Sequence, residues 1–223
     1  MLTPRLKMIV SGIKKCVCVA DIGTDHAYIP IHLVKTGIAQ TALACDVREG
    51  PCAIAFENIK KYKLSDKIEV RMSDGLNALV PNECDCIVIA GMGGLLIQKI
   101  LSDNMQIAKS ANQLILQPMT DHELLRKFLA DNGFCIYDED LSAEGKRIYS
   151  LFCVREGEMS FENEIDYHIN PILKNHPLYA KLVRQKKAEW EKIVSGCMRA
   201  KNTEEVQTAK YEALLNSLSL LDV

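Results

Sequence analysis

The 223-residue sequence has no apolar run near the roughly 20 residues that a membrane-spanning helix needs. Its start lacks a compact apolar stretch followed by a small-residue cleavage site, so no secretory signal is expected. A cytoplasmic location with no membrane contact is the resulting expectation. A dominant charge is missing too: Lys and Arg number 27, Asp and Glu 29, for a net charge of −2. That balance by itself neither points to nucleic acid nor excludes it. There is no internal repeat and no low-complexity tract. A disulfide framework is also lacking, because the nine cysteines are odd in number and have no compact framework spacing. Cys16, Cys18, Cys45, Cys84, Cys86, Cys135 and Cys153 fall in strand-like runs, where reduced cysteine acts as a small hydrophobe. The two C-x-C pairs raise the question of zinc. Zinc sites usually use turn-borne C-x-x-C, so no metal is expected.

What is present reads as an α/β chain. Apolar residues make up 48% and charged residues 25%. The length suits one α/β domain of about 150 residues plus a smaller appendage. Five apolar runs alternate with helical patterns. They are 16–20 ending at Asp21, 41–45 ending at Asp46, 68–72, 84–90, and 113–117 followed by Pro118. Between them, helical spacing predicts a helix over about 28–36 stopped by Gly37, and one opened by Gly50-Pro51. The second has Cys52, Ala55, Phe56 and Ile59 on its buried stripe. A third buries Leu96, Ile97, Ile100 and Leu101. Thr120-Asp121-His122-Glu123 reads as a capping box before Leu124, Leu125, Phe128 and Leu129. Alternation of this kind implies a parallel sheet with helices on both faces.

The pattern then changes. Runs 134–141 and 147–154, joined by Ser142-Ala143-Glu144-Gly145-Lys146, predict an antiparallel hairpin. A parallel sheet closed by such a hairpin is the topology of the common methyltransferase fold, in which the last strand inserts antiparallel. The strand signal stops near 156–160. A domain of residues 1–158 is therefore expected, followed by a helical domain of 159–223. Pro171 and Pro177 interrupt the latter early. A helix from about Leu178 carries Leu182, Val183, Trp190, Ile193, Val194 and Cys197. Asn202 with Glu205 is expected to cap a last helix carrying Val206, Ala209, Leu214, Leu215, Leu218 and Leu221. Two helices joined by a short polar turn suggest an antiparallel helical hairpin.

Ligands of open parallel sheets bind beyond the carboxyl ends of the strands. The first end reads Asp21-Ile22-Gly23-Thr24-Asp25-His26. Gly23 permits a tight turn and a close ligand, while Asp21 and Asp25 disfavour a pyrophosphate and suit a ligand with an ammonium and a sulfonium. A nicotinamide-dinucleotide enzyme fits poorly, because G-x-G-x-x-G is absent and Asp25 stands where phosphate would lie. Asp46 suits the ribose hydroxyls of a nucleoside cofactor. Asp74-Gly75 suits an adenine amino group, or is an ordinary Asp-Gly turn. Ala90-Gly91-Met92-Gly93-Gly94 lets backbone approach a flat reactant. The N-P-P-Y string of exocyclic amino methylases is absent there.

These residues carry a family resemblance. Asp21 to Tyr28, Gly50-Pro51, Asp74-Gly75-Leu76, Ala90 to Gly94 and Leu116-Gln117-Pro118, all in order over roughly residues 1–155, resemble the bacterial tRNA (adenine-N1)-methyltransferase family TrmK, which acts on adenine 22 of tRNA. One mild departure is Thr24, where serine is also typical. The resemblance implies a class I Rossmann-like methyltransferase sheet, parallel with an antiparallel last strand, plus a C-terminal helical hairpin or coiled-coil-like domain. It implies S-adenosyl-L-methionine held by Asp21, Ile22, Gly23, His26, Asp46, Val47, Asp74, Gly75, Ala90, Gly91 and Met92, with tRNA as partner.

Attack by adenine N1 needs no prior deprotonation, and its product is cationic. Asp25 is the candidate for stabilising that charge, with His26 and Tyr28 positioning the base; structural roles as helix cap or core residue remain open for the last two. Basic residues cluster in 1–20 and 174–201, and Arg5, Lys7, Lys181, Arg184, Lys186 and Lys187 are expected to hold the tRNA backbone. A solvated helix face explains the same charges as well. The helical tail could instead serve dimerisation, so monomer and weak homodimer both stay open. A small-molecule methyltransferase and a catalytically idle RNA-binding module are the other readings.

Overall fold

The chain is described as a computed structural model, covering residues 2–199, 205–219 and 221. It divides into two compact units, Met1–Ser160 and Phe161–Val223. The first unit is built on one sheet. Its strands are β1 (Cys16–Ile22), β2 (Ala39–Asp46), β3 (Ile68–Met72), β4 (Cys86–Met92), β5 (Gln113–Pro118), β6 (Phe134–Glu144) and β7 (Arg147–Glu156). Their order is β3-β2-β1-β4-β5-β7-β6. The first five run parallel to one another, whereas β7 enters antiparallel between β5 and β6.

Successive side chains in a strand point to opposite faces, and here both faces are covered. On β1, Ala20 and Ile22 join one buried cluster and Val19 joins the other. Helices α1 (Pro4–Gly12), α2 (Tyr28–Thr36) and α3 (Glu49–Lys61) cover the Val19 side with Met8, Ile9, Leu33, Ala55 and Ile59. Helices α4 (Gly94–Asp103), α5 (Met105–Ser110) and α6 (His122–Asp131) cover the other with Ile97, Ile100, Leu101, Ala108, Leu125 and Leu129. Complete burial of a leucine such as Leu129 contributes roughly 1.5–3 kcal/mol.

Local chemistry sets the boundaries. Thr3 accepts from Leu6 N at the start of α1, with Pro4 in the first turn. Gly37, at φ +70°, ends α2. The β6–β7 hairpin closes more tightly than the sequence suggests. Glu144 pairs with Arg147, so only Gly145 and Lys146 form the turn. The buried stripes are narrower than the periodicity predicts, since Phe56, Leu96 and Leu124 are exposed. The capping box before α6 does not form. Asp121 adopts the left-handed region at φ 55° and makes no side-chain cap bond. Arg126 of α6 is buried against Glu139 of β6 in an ion pair and lies 4.3 Å from the Phe152 ring centre.

The second unit contains α7 (Glu164–His168), a 3-10 turn at Pro171–Leu173, α8 (Tyr179–Arg199) and α9 (Glu205–Ser219), the last two packed on each other. Val183, Trp190, Leu214 and Leu218 are buried, while Ala209 is exposed and Leu221 lies beyond the helix. Asn202 and the Val206 side chain lie outside the described residues. Among the described residues no helix is long and apolar enough to cross a membrane.

Candidate active site

Parallel strands bring their carboxyl ends to one edge of the sheet, and backbone bonds hold those ends together. Gly23 N and Thr24 N both donate to Cys45 O, at 2.8 and 2.9 Å. Ser73 N donates to Asp46 O at 2.9 Å, and Met119 N to Met92 O at 2.8 Å. Gly23 turns the chain at φ +77°, and a β-carbon there would meet the Met92 methyl at 2.4 Å. The loop after β1 and the end of β4 are therefore in direct contact.

Asp21 is buried at the base of this loop and accepts from Thr24 Oγ1 at 2.7 Å. Burial pushes its carboxyl up to about 6, against the pull of the Thr24 bond, and the nearby Asp46 pushes it further. Such a carboxylate favours a cationic ligand. Asp46, also buried, ends β2 and accepts from Arg48 N at 3.0 Å. Val47 beyond it is exposed. Asp74 is exposed after β3, followed by Gly75 at φ +58°. Ile22 continues the core rather than facing solvent.

On the other flank, the β4–β5 register shifts between Ala90 and Met92, so Gly91 bulges from the ladder at φ +77° and is exposed. Gly93 and Gly94 let the next loop close in. A β-carbon on Gly94 would stand 2.5 Å from Asp121 O, and one on Gly93 3.1 Å from Thr120 Oγ1. The left-handed turn at Asp121 thus packs on the β4–α4 junction, which explains why the capping box is lost. Tyr28, Val47, Met72, Leu95, Leu96 and Met119, each adjoining a strand end, are exposed apolar side chains.

Asp25, His26 and Tyr28 form one group. Asp25 sits at φ 48° with its carboxylate 3.4 Å from His26 Nε2. The His26 and Tyr28 rings stack with centres 5.2 Å apart, and Asn58 Nδ2 donates to His26 O at 3.1 Å. Neither bland role applies. Ala27 is the N-cap of α2, without a side-chain cap bond, and Tyr28 is exposed rather than core.

The basic candidates differ in setting. Lys7 is exposed on α1. Arg5 instead turns inward and donates from Nη1 to Gln117 Oε1 at 3.0 Å. On α8, Arg184 and Lys187 are exposed and Lys181 is half-buried, whereas Lys186 is paired with Glu189 at 3.2 Å. Thr24 and Gln117 stand out in the sequence as parts of motifs, not for their side chains. Their position at strand ends was the available signal. Cys18 and Cys84 bring their sulfurs within 3.2 Å, and among the described residues no three His, Cys, Asp or Glu side chains converge as a metal site.

Taken together, these groups fit a ligand with an ammonium, a ribose and a flat base. Asp21 supplies buried negative charge, Asp46 an acceptor at the second strand end, and Gly23 the room that a β-carbon would fill.

Comparison with known proteins agrees. A family model described as "Methyltransferase domain" matches residues 2–152. The tRNA (adenine(22)-N(1))-methyltransferase of Bacillus subtilis is 34% identical over 157 residues, 70% of this chain and 66% of that protein. The chain thus spans just under two thirds of the length of this curated relative. Among solved structures, the B. subtilis m1A22 tRNA methyltransferase TrmK is 27% identical with a TM-score of 0.89, over 99% of this chain and 98% of that one. A Streptococcus pneumoniae protein, provisionally assigned as a tRNA (m1A22) methyltransferase and solved with S-adenosyl-L-methionine, is 30% identical with a TM-score of 0.88. That match covers 99% of both chains.

Proposed function

The chain belongs to the methyltransferase-domain family and, within it, to the tRNA (adenine-N1)-methyltransferases called TrmK, and from that premise we propose that it transfers a methyl group from S-adenosyl-L-methionine to N1 of adenine 22 in tRNA. One observation carries the reading: the loop after β1 touches the end of β4 through Gly23 and Met92, with buried Asp21 and Asp46 alongside. This is one mouth with a cofactor flank and an acceptor flank. A cytoplasmic setting, where tRNA is modified, goes with the same reading.

When bound, the cofactor supplies a methyl group on a positively charged sulfur. The protein's share is binding, orientation and electrostatics. Asp21 would face the ammonium with negative charge, Asp46 would accept from ribose, and Asp74 would accept from the adenine amino group. Gly91 leaves backbone bare for a base extruded from the tRNA stack. Adenine N1 brings its own lone pair, so no general base is required. The base becomes cationic as it reacts, and the Asp25 carboxylate at the mouth stabilises that charge. His26 and Tyr28 give the base a stacked aromatic wall. Lys181, Arg184 and Lys187 recur every third residue on α8 and hold phosphates.

Incubation with labelled S-adenosyl-L-methionine and unmodified bulk tRNA tests the reading. Labelled tRNA is the expected result. Cofactor binding with no label in any tRNA would contradict it and leave a small-molecule methyltransferase or an idle RNA-binding module.

A further inference from the structure

We infer that Arg5 is a clamp for the phosphate of the nucleotide presented for methylation, so that the first turn of α1 forms part of the acceptor site. The inference rests on the tRNA reading above and adds to it a residue at the reacting nucleotide.

Arg5 is held on several sides. Its backbone N donates to Glu144 Oε1 at 2.8 Å, pinning the start of α1 to the end of β6. Its Nη1 donates to Gln117 Oε1 at 3.0 Å, and Gln117 is wholly buried at the end of β5. Gln117 is itself held, because its Nε2 donates to Pro118 O at 2.8 Å. The guanidinium carbon lies 5.7 Å from the centre of the Tyr149 ring on β7. A β-carbon on Gly91 would stand 3.3 Å from Arg5 Nη1. Arg5 therefore lies against the bulge that separates it from Met92 and, beyond Met92, from the Gly23 loop. A nucleotide whose base enters beside the bulge would bring its phosphate, rather than its base, within reach of the Arg5 guanidinium.

The chemistry of the guanidinium selects its partner. It is half-buried, with the Glu144 carboxylate as a charged neighbour, and forms no side-chain ion pair within 4 Å among the described residues. One N–H is occupied by Gln117, and the other guanidinium N–H groups make no hydrogen bond among the described residues. A fork of this kind matches phosphate bidentately. It suits the base poorly, since methylation at N1 makes the ring cationic and a cation against it would oppose the reaction. The phosphate of the same nucleotide is anionic and gains from the contact. Lys7, exposed on the same helix, has no such fixed setting and fits non-specific backbone attraction.

The test uses the full chain with a tRNA transcript carrying either a natural phosphate or an uncharged methylphosphonate on each side of adenosine 22. Arg5→Ala is expected to lower kcat/KM for natural tRNA by about 10- to 100-fold, the loss typical of a hydrogen bond to a charged group. Affinity for S-adenosyl-L-methionine should stay unchanged, which also reports that the fold is intact. Arg5→Lys should fall between, keeping the charge without the fork. One of the two methylphosphonates should cost the wild type a similar factor and cost Arg5→Ala nothing further. A purely structural role for Arg5 would make the two losses multiply, and that result overturns the inference. So does an Arg5→Ala variant with wild-type kcat/KM. Wild-type enzyme that methylates no tRNA would overturn the underlying reading instead, and the two failures are told apart in the same experiment.

Discussion

The Met92 methyl fills the space that a β-carbon on Gly23 would need, 2.4 Å from that position. On the proposed reading the contact joins the cofactor flank to the acceptor flank, so a side chain at Gly23 would disturb both. Gly23→Ala also adopts φ +77°, a region that costs a non-glycine residue roughly 1–2 kcal/mol. The expected outcome is a folded enzyme whose affinity for S-adenosyl-L-methionine, measured by calorimetry, falls at least about tenfold, or 1.4 kcal/mol. Gly37→Ala is the control. It has a similar φ of +70° but nothing within 4 Å of its β-carbon. It should lose stability without losing cofactor affinity. Equal affinity losses in both variants would mean that backbone strain alone, and not the Met92 contact, is at work.

On the proposed reading, Asp21 is expected to make cofactor binding depend on pH. Its carboxyl titrates near 6 in the folded chain because burial disfavours the charge. A raised value means that the folded chain holds this proton more tightly than the unfolded chain does. Asp21 therefore lowers stability as pH rises from about 4 to about 6, and a cationic ligand offsets that loss. Below about 6 the free enzyme carries a neutral Asp21, which must lose its proton to face an ammonium. Affinity for S-adenosyl-L-methionine should thus weaken as pH drops from 7 to 5, approaching about tenfold per unit below 6. Asp21→Asn should bind more weakly at pH 7 and show a flat profile. A wild-type profile already flat across that range would remove Asp21 as the charge partner.

Asp25 tests the acceptor chemistry. It is exposed at the mouth and lies 3.4 Å from His26 Nε2. On the proposed reading, Asp25→Ala removes a negative charge facing a base that becomes cationic. Single-turnover methylation should slow by about 10- to 1000-fold, within the range for losing one electrostatic group, with cofactor affinity little changed. Full turnover with unchanged cofactor affinity would show that the charge on the base is stabilised elsewhere.

The basic residues of α8 separate by their partners. Lys186 already pairs with Glu189, whereas Arg184 and Lys187 are exposed. Reversing Arg184 and Lys187 to Glu should weaken tRNA binding and lower the slope of log affinity against log salt by about 1 for each phosphate no longer neutralised. Lys186→Glu should do less. Filter binding over a salt series measures both. A larger effect at Lys186 than at the exposed pair would contradict the assignment.

Much of the architecture was legible because strand and helix leave different periods. The runs ending at Asp21, Asp46, Met72 and Gln117 reappear as parallel strands, and the hairpin at 134–154 as β6 and β7. The shortfalls have tertiary causes. Helix α5 has six residues, too few for a visible stripe. Thr120 to Glu123 carries the letters of a capping box, yet Asp121 turns left-handed where its carbonyl meets Gly94. Phe56 and Leu96 fit the helical stripes but lie at their edges, where spacing does not decide burial. In the candidate site, Asp21, Gly23, Asp46 and Met92 stand at or beside strand ends, as their place in the sequence predicts. In the sequence Arg5 is one of six basic residues expected to hold the tRNA backbone, with nothing to set it apart from the other five. Only the fold carries α1 across to Gln117 and Gly91, 112 residues away in sequence for the first of these.

The most direct measurement is nucleoside analysis of a tRNA transcript after incubation with the enzyme and S-adenosyl-L-methionine, beside the same transcript with adenosine 22 replaced by guanosine. The account predicts 1-methyladenosine from the first and no methylated nucleoside from the second. N6-methyladenosine, or 1-methyladenosine from the substituted transcript, would contradict it.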